Sequence, residues 1–330
     1  MRKILSKKII LRIVCFVLGV MFLVLPVFLF INNKEKTGQA EAKSEVFLEL
    51  WNVDTFEGGK SSRGAFLEKQ AIAFQKMNTG VYIITKSLNK EQLKIQLASG
   101  ACPDFISFGI GVGDMISGLV KAMDSFDIRN ELKFHNLVPW CYGGYVLCSK
   151  IQIKNVNEVL NGNSVGFGNE NTVTINALRA NLKTDISKIN VYEKSLSTYS
   201  QYSAYEDFLA DKFDVLIGTQ RDFYRLKNRM DLGALSNCSF KFLEGYTDLV
   251  EWFACFSEEE EKVELVYKFV KYVLSDDVQK KLEGLGMFSV TGLEIYKDEY
   301  YKKFEEALQK PLKVLNPLLS LVEIKEMQKI

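Results

Sequence analysis

The stretch that decides the fold of this chain reads Asp214-Val215-Leu216-Ile217-Gly218-Thr219-Gln220-Arg221-Asp222-Phe223-Tyr224-Arg225. Its apolar opening has the length and composition of a fully buried strand, and the run breaks at Gly218 into polar side chains. In open α/β sheets, ligands bind at the carboxyl ends of the strands. The stretch therefore predicts either a ligand-contacting strand end or a plain helix start, with Thr219 as the cap and Arg221 and Arg225 in solvent.

The first half of the body alternates strand and helix. Strands are predicted over Val46–Trp51, Val81–Ile84 and Asp104–Phe108, and a helix over 63–77. A second, short helix begins after Asn89, which has Gln92 at the capping-box spacing. Strand and helix in this order, with short breaks, predict a mainly parallel, doubly wound sheet.

A second α/β unit follows a connecting strand over 144–148. Its predicted elements are Ser164–Gly168, Thr172–Leu182, Ile189–Tyr192, Ser203–Leu209 and Phe213–Ile217, and Ser203 with Glu206 has capping-box spacing. The apolar run Leu249–Phe256 is expected to carry the chain back to the first sheet. A helix is then predicted from Ser257, with Glu260 at its third position, and two further helices over Asp276–Leu285 and Glu299–Leu308.

The N-terminus predicts a membrane segment. Five basic residues precede an unbroken apolar run, residues 13–31, which is long enough to cross a bilayer with the basic flank in the cytoplasm. A cleaved signal peptide is the competing interpretation, because Ala40-Glu41-Ala42 has the small-x-small form of a cleavage site. We favour an uncleaved anchor, since the run is long and Ala40 lies well beyond its end. Cys15 lies too early in the run to be a lipidated cysteine.

These patterns predict six segments. They are an anchor or signal (1–31), a polar tether (32–44), lobe 1 (45–143), lobe 2 (144–247), a return to lobe 1 (248–287) and C-terminal helices packing on lobe 2 (288–330). Without the five basic residues of the first 31, the remaining 37 basic and 41 acidic residues make the body mildly acidic, which gives no support for nucleic-acid binding.

Cysteine and histidine give little support for a metal site, a cofactor or catalysis. Five cysteines follow the anchor, most among apolar neighbours and none in a Cys-x-x-Cys pair, so we expect small buried hydrophobes, no zinc site and no cofactor. The single histidine, His135, has no serine or cysteine motif near it, and no Walker loop is present. Gly109-Ile110-Gly111-Val112-Gly113 has the wrong spacing for a dinucleotide fingerprint and is expected to be a cleft loop. No pair of carboxylates stands out as that of a glycosidase.

Several blocks, in this order, resemble the bacterial extracellular solute-binding proteins of family 1, the sugar-capturing subunits of ABC importers. The blocks are Leu50-Trp51-Asn52, Phe66–Phe74, Leu97–Ser107 with its leu-x-x-gly-x-x-pro-asp pattern, Pro139–Leu147, Gly218–Asp222 and Val270–Gly286. The chain departs from the family in a short segment after Lys150 and in the missing lipid-attachment cysteine. The second departure suggests a tethered receptor.

The resemblance implies a two-lobed, periplasmic-binding-protein-like fold. A small solute, a sugar or oligosaccharide, would be captured between the lobes and passed to ABC permease subunits on the extracytoplasmic side, without enzymatic turnover. A sensor that signals to a membrane kinase and an anchored glycan hydrolase are the alternatives. Aromatic faces and planar polar groups at strand ends suit sugar recognition. The expected ligand contacts are Trp51, Asn52, Phe108, Gly109, Trp140, Tyr142, Thr219, Gln220, Arg221 and Trp252.

Overall fold

Two five-stranded sheets, each flanked by helices, form the body of the protein in the computed structural model. The structure describes residues 45–123, 126–152, 154–157, 162–183 and 185–329. The strands are β1 Val46–Val53, β2 Val81–Leu88, β3 Phe105–Phe108, β4 Val138–Tyr142, β5 Tyr145–Ser149, β6 Ser164–Phe167, β7 Asn190–Val191, β8 Val215–Thr219, β9 Ser239–Phe242, β10 Tyr246–Thr247, β11 Val250–Cys255 and β12 Lys313–Val314.

Helices cover both sheets. They are α1 Arg63–Met77, α2 Lys90–Ala98, α3 Gly113–Ile116, α4 Ile175–Asn181, α5 Gln201–Leu209, α6 Gln220–Asp231, α7 Glu260–Val273, α8 Asp276–Gln279, α9 Leu282–Leu285, α10 Glu299–Leu308 and α11 Leu321–Gln328. Short 3-10 turns occupy Asn130–Leu132, Ile186–Lys188 and Glu193–Leu196. Within the described ranges, no helix combines the length and the apolar character that a membrane crossing requires. The predicted anchor, residues 13–31, lies outside the described residues.

The first sheet, which with its helices we call lobe 1, has the order β2-β1-β3-β11-β4. The strands β1, β2 and β3 run parallel, whereas β11 is antiparallel to both β3 and β4. The pairing of β11 with β4 shifts in register between Glu251 and Trp252, so that Trp140 is an extra residue on β4. An extra residue of this kind bends the strand and redirects side chains.

The second sheet, which with its helices we call lobe 2, has the order β7-β6-β8-β5-β9. Its centre is fully buried, because β5 and β8 expose none of their five residues and run antiparallel to each other. The carboxyl end of β8 passes directly into α6. The chain passes from lobe 1 to lobe 2 between β4 and β5, at Gly143-Gly144, and returns from β9 to β11 through β10 and Asp248-Leu249. The strand β10 pairs in parallel with β12 in a separate two-stranded sheet.

The C-terminal helices contact both lobes. The ring of Phe304 on α10 stacks on Phe242 of β9 at 4.4 Å, and the Arg179 guanidinium donates to the carbonyl of Met327 at 2.9 Å. On the side of lobe 1, the backbone N–H of Leu321 donates to Asp114 at 3.0 Å. The segment from α10 to α11 therefore contacts both lobes.

Three local expectations are wrong in detail. The helix α5 is capped by Ser200, whose hydroxyl accepts from the N–H of Ser203, so Ser203 lies inside the helix. The helix α7 begins at Glu260 without a side-chain cap, and the region 276–285 forms two short helices instead of one. Helix boundaries are the least well determined part of a sequence pattern, and each of these differences concerns a boundary.

Candidate ligand-binding cleft

The carboxyl ends of the parallel strands in the two lobes face each other. The amide of Asn171, after β6, donates to the carbonyl of Thr55, after β1, at 2.8 Å. The ammonium of Lys90 donates to the same asparagine at 3.2 Å, and a side chain at Gly111 would touch it. These contacts place the loops after β1, β3 and β6 on opposite walls of one cleft, which is the position expected for a ligand in an α/β protein.

Gln220 closes the hinge end of this cleft. Its carbonyl oxygen accepts from the N–H of Gly144 at 3.2 Å, and its amide nitrogen lies 2.9 Å from the sulfur of Met287. A Cβ atom at Gly143 would approach the Gln220 amide to 2.2 Å, so a larger residue there would force the Gln220 side chain to move. Gln220 is fully buried. It therefore ties the start of α6 to the crossing between the sheets.

Two arginines of α6, Arg221 at its second position and Arg225 one turn further along, reach across to lobe 1. The Arg225 guanidinium donates to the carboxylate of Glu57 at 2.8 Å, and Arg221 Nε lies 3.7 Å from the same oxygen. Arg221 Nε is buried and has no hydrogen-bond partner. The rings of Tyr202 and Tyr205 lie 5.0 and 5.2 Å from the Arg225 guanidinium. The cleft thus contains a positively charged pair that a single lobe 1 carboxylate partly satisfies.

Residues 54–62, which we call the β1 loop, carry most of the lobe 1 wall. The Lys60 ammonium lies over three tyrosine rings, 4.3 Å from Tyr301, 5.2 Å from Tyr224 and 6.0 Å from Tyr296. Its backbone N–H donates to the carbonyl of Leu285 at 2.6 Å. Burial lowers the pKa of the Lys60 amine, although nearby carboxylates oppose this effect. The β1 loop therefore contacts lobe 2 and the C-terminal helices through aromatic and ionic contacts.

Arg63, the first residue of α1, fixes the β1 loop through contacts with Asp54 and Phe56. Its guanidinium donates to Asp54 at 2.9 Å and to the carbonyl of Phe56 at 2.6 Å, and the Phe56 ring lies 4.2 Å away. Glu251 on β11 lies 3.3 Å from Arg63 and accepts from Ser107 at 3.4 Å. Burial raises the pKa of Glu251 to about 8, while the charge of Arg63 acts in the opposite direction.

The N-terminus of α6 uses its own side chains as caps. The Thr219 hydroxyl accepts from the N–H of Arg221 at 3.2 Å, and the Asp222 carboxylate accepts from the N–H of Thr219 at 2.9 Å, which completes a capping box. Gln201 on α5 also donates to Asp222 at 2.8 Å. Burial raises the pKa of Asp222 to about 6, against the opposing effects of the Thr219 N–H and Arg225.

A third buried carboxylate, after Glu251 and Asp222, lies at the crossing to β11. Asp248 accepts from the Tyr145 hydroxyl at 2.6 Å and from the N–H of Val173 at 2.6 Å. Burial raises the pKa of Asp248, and these two donors act against the shift. The side chain of Asp248 thus joins the loop before α4 to the crossing. A rotation of the lobes that separated these two segments would break its hydrogen bonds.

Several residues expected to contact ligand pack inside lobe 1. The Trp140 ring stacks between Phe66 at 5.6 Å and Phe253 at 5.9 Å, and its indole donates to Ser107 at 3.0 Å. The Trp252 ring meets Phe134 edge to face at 5.3 Å. Both indoles are almost fully buried. The structure therefore places these two tryptophans in the core and not on the cleft wall.

The remaining expected residues are divided between sheet and cleft. The Trp51 indole donates to Glu49 at 2.8 Å and lies under the Lys86 ammonium. Phe108 is buried beside Trp252 in the sheet. The Tyr142 hydroxyl accepts a hydrogen bond from Arg129. Asn52 and Gly109 lie at the base of the β1 loop. Asn52 donates to Asp54 at 3.3 Å, and a Cβ at Gly109 would meet the Thr55 hydroxyl at 2.4 Å. With Thr219, Gln220 and Arg221, these two residues surround the cleft.

Sequence reasoning missed Thr55 and four further residues that shape the cleft. The four are Glu57, Arg63, Asn171 and Glu251. A local signal existed for two of them, because Glu57 precedes a Gly58-Gly59 pair after a strand and Glu251 is a charge within an otherwise apolar strand. Arg63 and Asn171 gave no such signal, since their partners lie in distant parts of the chain.

Two concave surfaces lie outside the cleft, on lobe 1. One, of about 390 Å³, includes His135, Phe134 and Lys133, and the other, of about 620 Å³, lies along α7 and includes Tyr267 and Cys255. Neither contains residues of the β1 loop or α6. Among the residues that the structure describes, no group of three or more histidine, cysteine or acidic side chains could hold a metal ion.

Comparison with known proteins finds solved structures of similar fold but no protein of similar sequence. No family profile matches the sequence, and no curated protein does. The sugar-binding protein MalE from Xanthomonas citri superposes with a TM-score of 0.62 at 13% identity, over 86% of this chain and 90% of its own. This chain has the fold of the ABC-transporter substrate-binding proteins.

Two other solved structures show how wide that group is. An ABC transporter substrate-binding protein from Bradyrhizobium japonicum gives a TM-score of 0.54 at 13% identity, over 85% of this chain and 97% of its own. Iron-bound HitA from Pseudomonas aeruginosa gives 0.54 at 16% identity, over 86% and 98%. The two-lobed α/β fold implied by the sequence resemblance is confirmed, and at these identities the likeness concerns the fold alone.

Proposed function

We propose that this protein is an extracytoplasmic solute-binding protein that captures a small carbohydrate in the cleft between its lobes and delivers it to an ABC-type permease. The observation that carries the proposal is the cleft itself. The loops after β1, β3, β6 and β8 meet across it, and the chain crosses between the lobes at Gly143-Gly144 and Asp248-Leu249. Such crossings serve as hinges in proteins that close around a ligand.

Ligand entry would require exchange of contacts that the lobes now make with each other. Opening would release the Asn171 amide from the Thr55 carbonyl, whereas the Thr55 hydroxyl and Arg221 Nε already have no hydrogen-bond partner in this state. A solute that supplies partners to all three gains binding energy without an equal loss elsewhere. We therefore assign Thr55, Asn171 and Arg221 to ligand contact, with Asn52, Gly109, Thr219 and Gln220 around them.

A carbohydrate is the solute class that the comparisons favour. The Xanthomonas citri protein is a sugar-binding protein, and other proteins of this fold are described in complex with maltotriose and maltotetraose. In the proposal, residues 13–31 anchor the body at the outer face of the membrane, and the permease receives solute from it. The protein performs no reaction on the solute, so bound sugar is recovered unchanged.

Thermal unfolding of the full chain against a panel of sugars and oligosaccharides tests the proposal. A solute present at a hundred times its dissociation constant adds about 2.7 kcal/mol, which corresponds to a rise in Tm of roughly 5–10 °C. Asn171→Ala should weaken binding by about 1–3 kcal/mol. Its matched control is Asn228→Ala on the exposed side of α6. A panel without any shift, equal binding by the two variants, or hydrolysed sugar would each refute the proposal.

A further inference from the structure

We propose, as a refinement that rests on the proposed function, that the preferred solute carries a carboxylate, as a uronic acid or an oligouronide does. The carboxylate would bind Arg221 and Arg225 in the position that Glu57 now occupies. Glu57 Oε2 lies 2.8 Å from Arg225 and 3.7 Å from Arg221, across the cleft from both. The side chain of the protein itself thus shows which chemical group the two arginines accept.

The Arg225 guanidinium is fixed in place before any solute arrives. Tyr202 and Tyr205 flank it at 5.0 and 5.2 Å, and Asp222 lies 3.4 Å away on the inner side. Aromatic faces hold a guanidinium in one plane and leave its edge free to donate to a planar carboxylate. A donor that is already oriented loses little conformational freedom on binding, so this arrangement suits recognition of an anion.

Glu57 does not satisfy the hydrogen-bonding capacity of Arg221. Its Nε atom is buried and without a hydrogen-bond partner, because the distance of 3.7 Å to Glu57 is too long for a hydrogen bond. Glu57 is constrained by the backbone of the β1 loop and reaches only one arginine at hydrogen-bond distance. A carboxylate on a separate solute has no such constraint and could accept from both arginines at once.

Displacement of Glu57 costs little, and only an acidic solute replaces the ion pair that is lost. One third of the Glu57 side chain and one fifth of the Arg225 side chain are exposed, and ion pairs with such exposure contribute little to stability. If a neutral solute displaced Glu57, two guanidinium groups would face only the buried Asp222 within the closed cleft. An acidic solute replaces the lost ion pair and a neutral solute does not, which favours the acidic one.

Matched pairs of solutes test the inference by titration calorimetry on the full chain. The pairs are glucuronate with glucose, galacturonate with galactose, and trigalacturonate with its methyl ester. The acidic member of at least one pair should bind about tenfold to a hundredfold more tightly, because a charged hydrogen bond is worth roughly that ratio. Its advantage should fall as salt concentration rises.

Two variants and a control locate the effect. Arg221→Gln should bring the acidic and neutral affinities close together, and Glu57→Gln should tighten binding of the acid because the internal competitor loses its charge. Arg229→Gln, on the exposed last turn of α6, should change neither affinity. Equal affinities within every pair, or an acid preference that survives Arg221→Gln, would overturn the inference while the proposed function stands. Binding of neither member of any pair, with no other sugar bound, would overturn both.

Discussion

Replacement of Arg63 by methionine should destabilise the body more than any change to an exposed charge. Methionine retains much of the apolar bulk but removes every hydrogen bond of the guanidinium. The buried bond to the carbonyl of Phe56, at 2.6 Å, is worth about 1.5–3 kcal/mol as a charged hydrogen bond. The bond to Asp54 adds at most about 1 kcal/mol, because that carboxylate is nearly half exposed.

The buried Glu251, 3.3 Å from Arg63, also loses its charged partner, so the expected loss in the free energy of unfolding is about 2–5 kcal/mol. For a body of this size it corresponds to a fall in Tm of roughly 5–15 °C. Denaturant unfolding at pH 7, followed by circular dichroism, measures the free energy directly. The matched control is Lys268→Met on α7, because Lys268 and Glu264 form an exposed pair at 2.7 Å. That change should stay within about 0.5 kcal/mol of the wild type.

The same substitution has a local consequence that a global loss of stability would not produce. Arg63 is the support of Phe56 and Asp54, so its removal should loosen the β1 loop first. The substitution should then raise the rate of native-state hydrogen exchange more at residues 56–60 than in the strand β1. If Arg63→Met unfolds at the same denaturant concentration as Lys268→Met, or if exchange rises equally in β1 and the loop, Arg63 does not anchor the loop.

Two further predictions concern the hinge and the buried acid. Gly143→Ala should lower the free energy of unfolding by about 1–3 kcal/mol and weaken solute binding, because its Cβ would lie 2.2 Å from the Gln220 amide. The control is Gly118→Ala, since a Cβ there meets no atom within 4 Å. Equal melting temperatures for the two variants would contradict the steric argument. The folded-state pKa of Glu251, about 8, exceeds its ordinary value of 4.5, so the stability it contributes is present below pH 4.5 and is lost as pH rises towards 8. Glu251→Gln should flatten the decline in unfolding free energy between pH 5 and pH 8, and parallel pH profiles for the two proteins would refute this.

Local patterns in the sequence were enough to predict most elements. The helix α1 spans the predicted residues 63–77, and α10 spans the predicted 299–308, because each combines a regular apolar face with a clear start. The capping box at Asn89 and the cap at Thr219 also depend on residues within one turn of each other, and the structure contains both. Predictions of helix caps were confirmed where only one nearby residue could act as the cap.

The ligand-facing residues were harder to predict because their roles depend on distant partners. Trp140 lies at a strand crossing, as expected, but the extra residue in β4 and the rings of Phe66 and Phe253 place it in the core. In the same way, the solvent-exposed alternative for Arg225 was reasonable from the helix alone. Only the approach of Glu57, 168 residues earlier in the chain, gives that arginine a place in the cleft.

The start of α6 explains why charge recognition would depend on side chains in this protein. A helix N-terminus can bind an anion through its free N–H groups. Here the Thr219 hydroxyl accepts from the N–H of Arg221 and the Asp222 carboxylate bonds the N–H of Thr219, so the helix start is already satisfied by its own residues. Arg221 and Arg225, four residues apart, lie on one face of α6 and reach towards Glu57. An acidic solute would therefore be held by the two guanidinium groups, and substitution of Asp222 would change both the helix start and the negative charge beside Arg225.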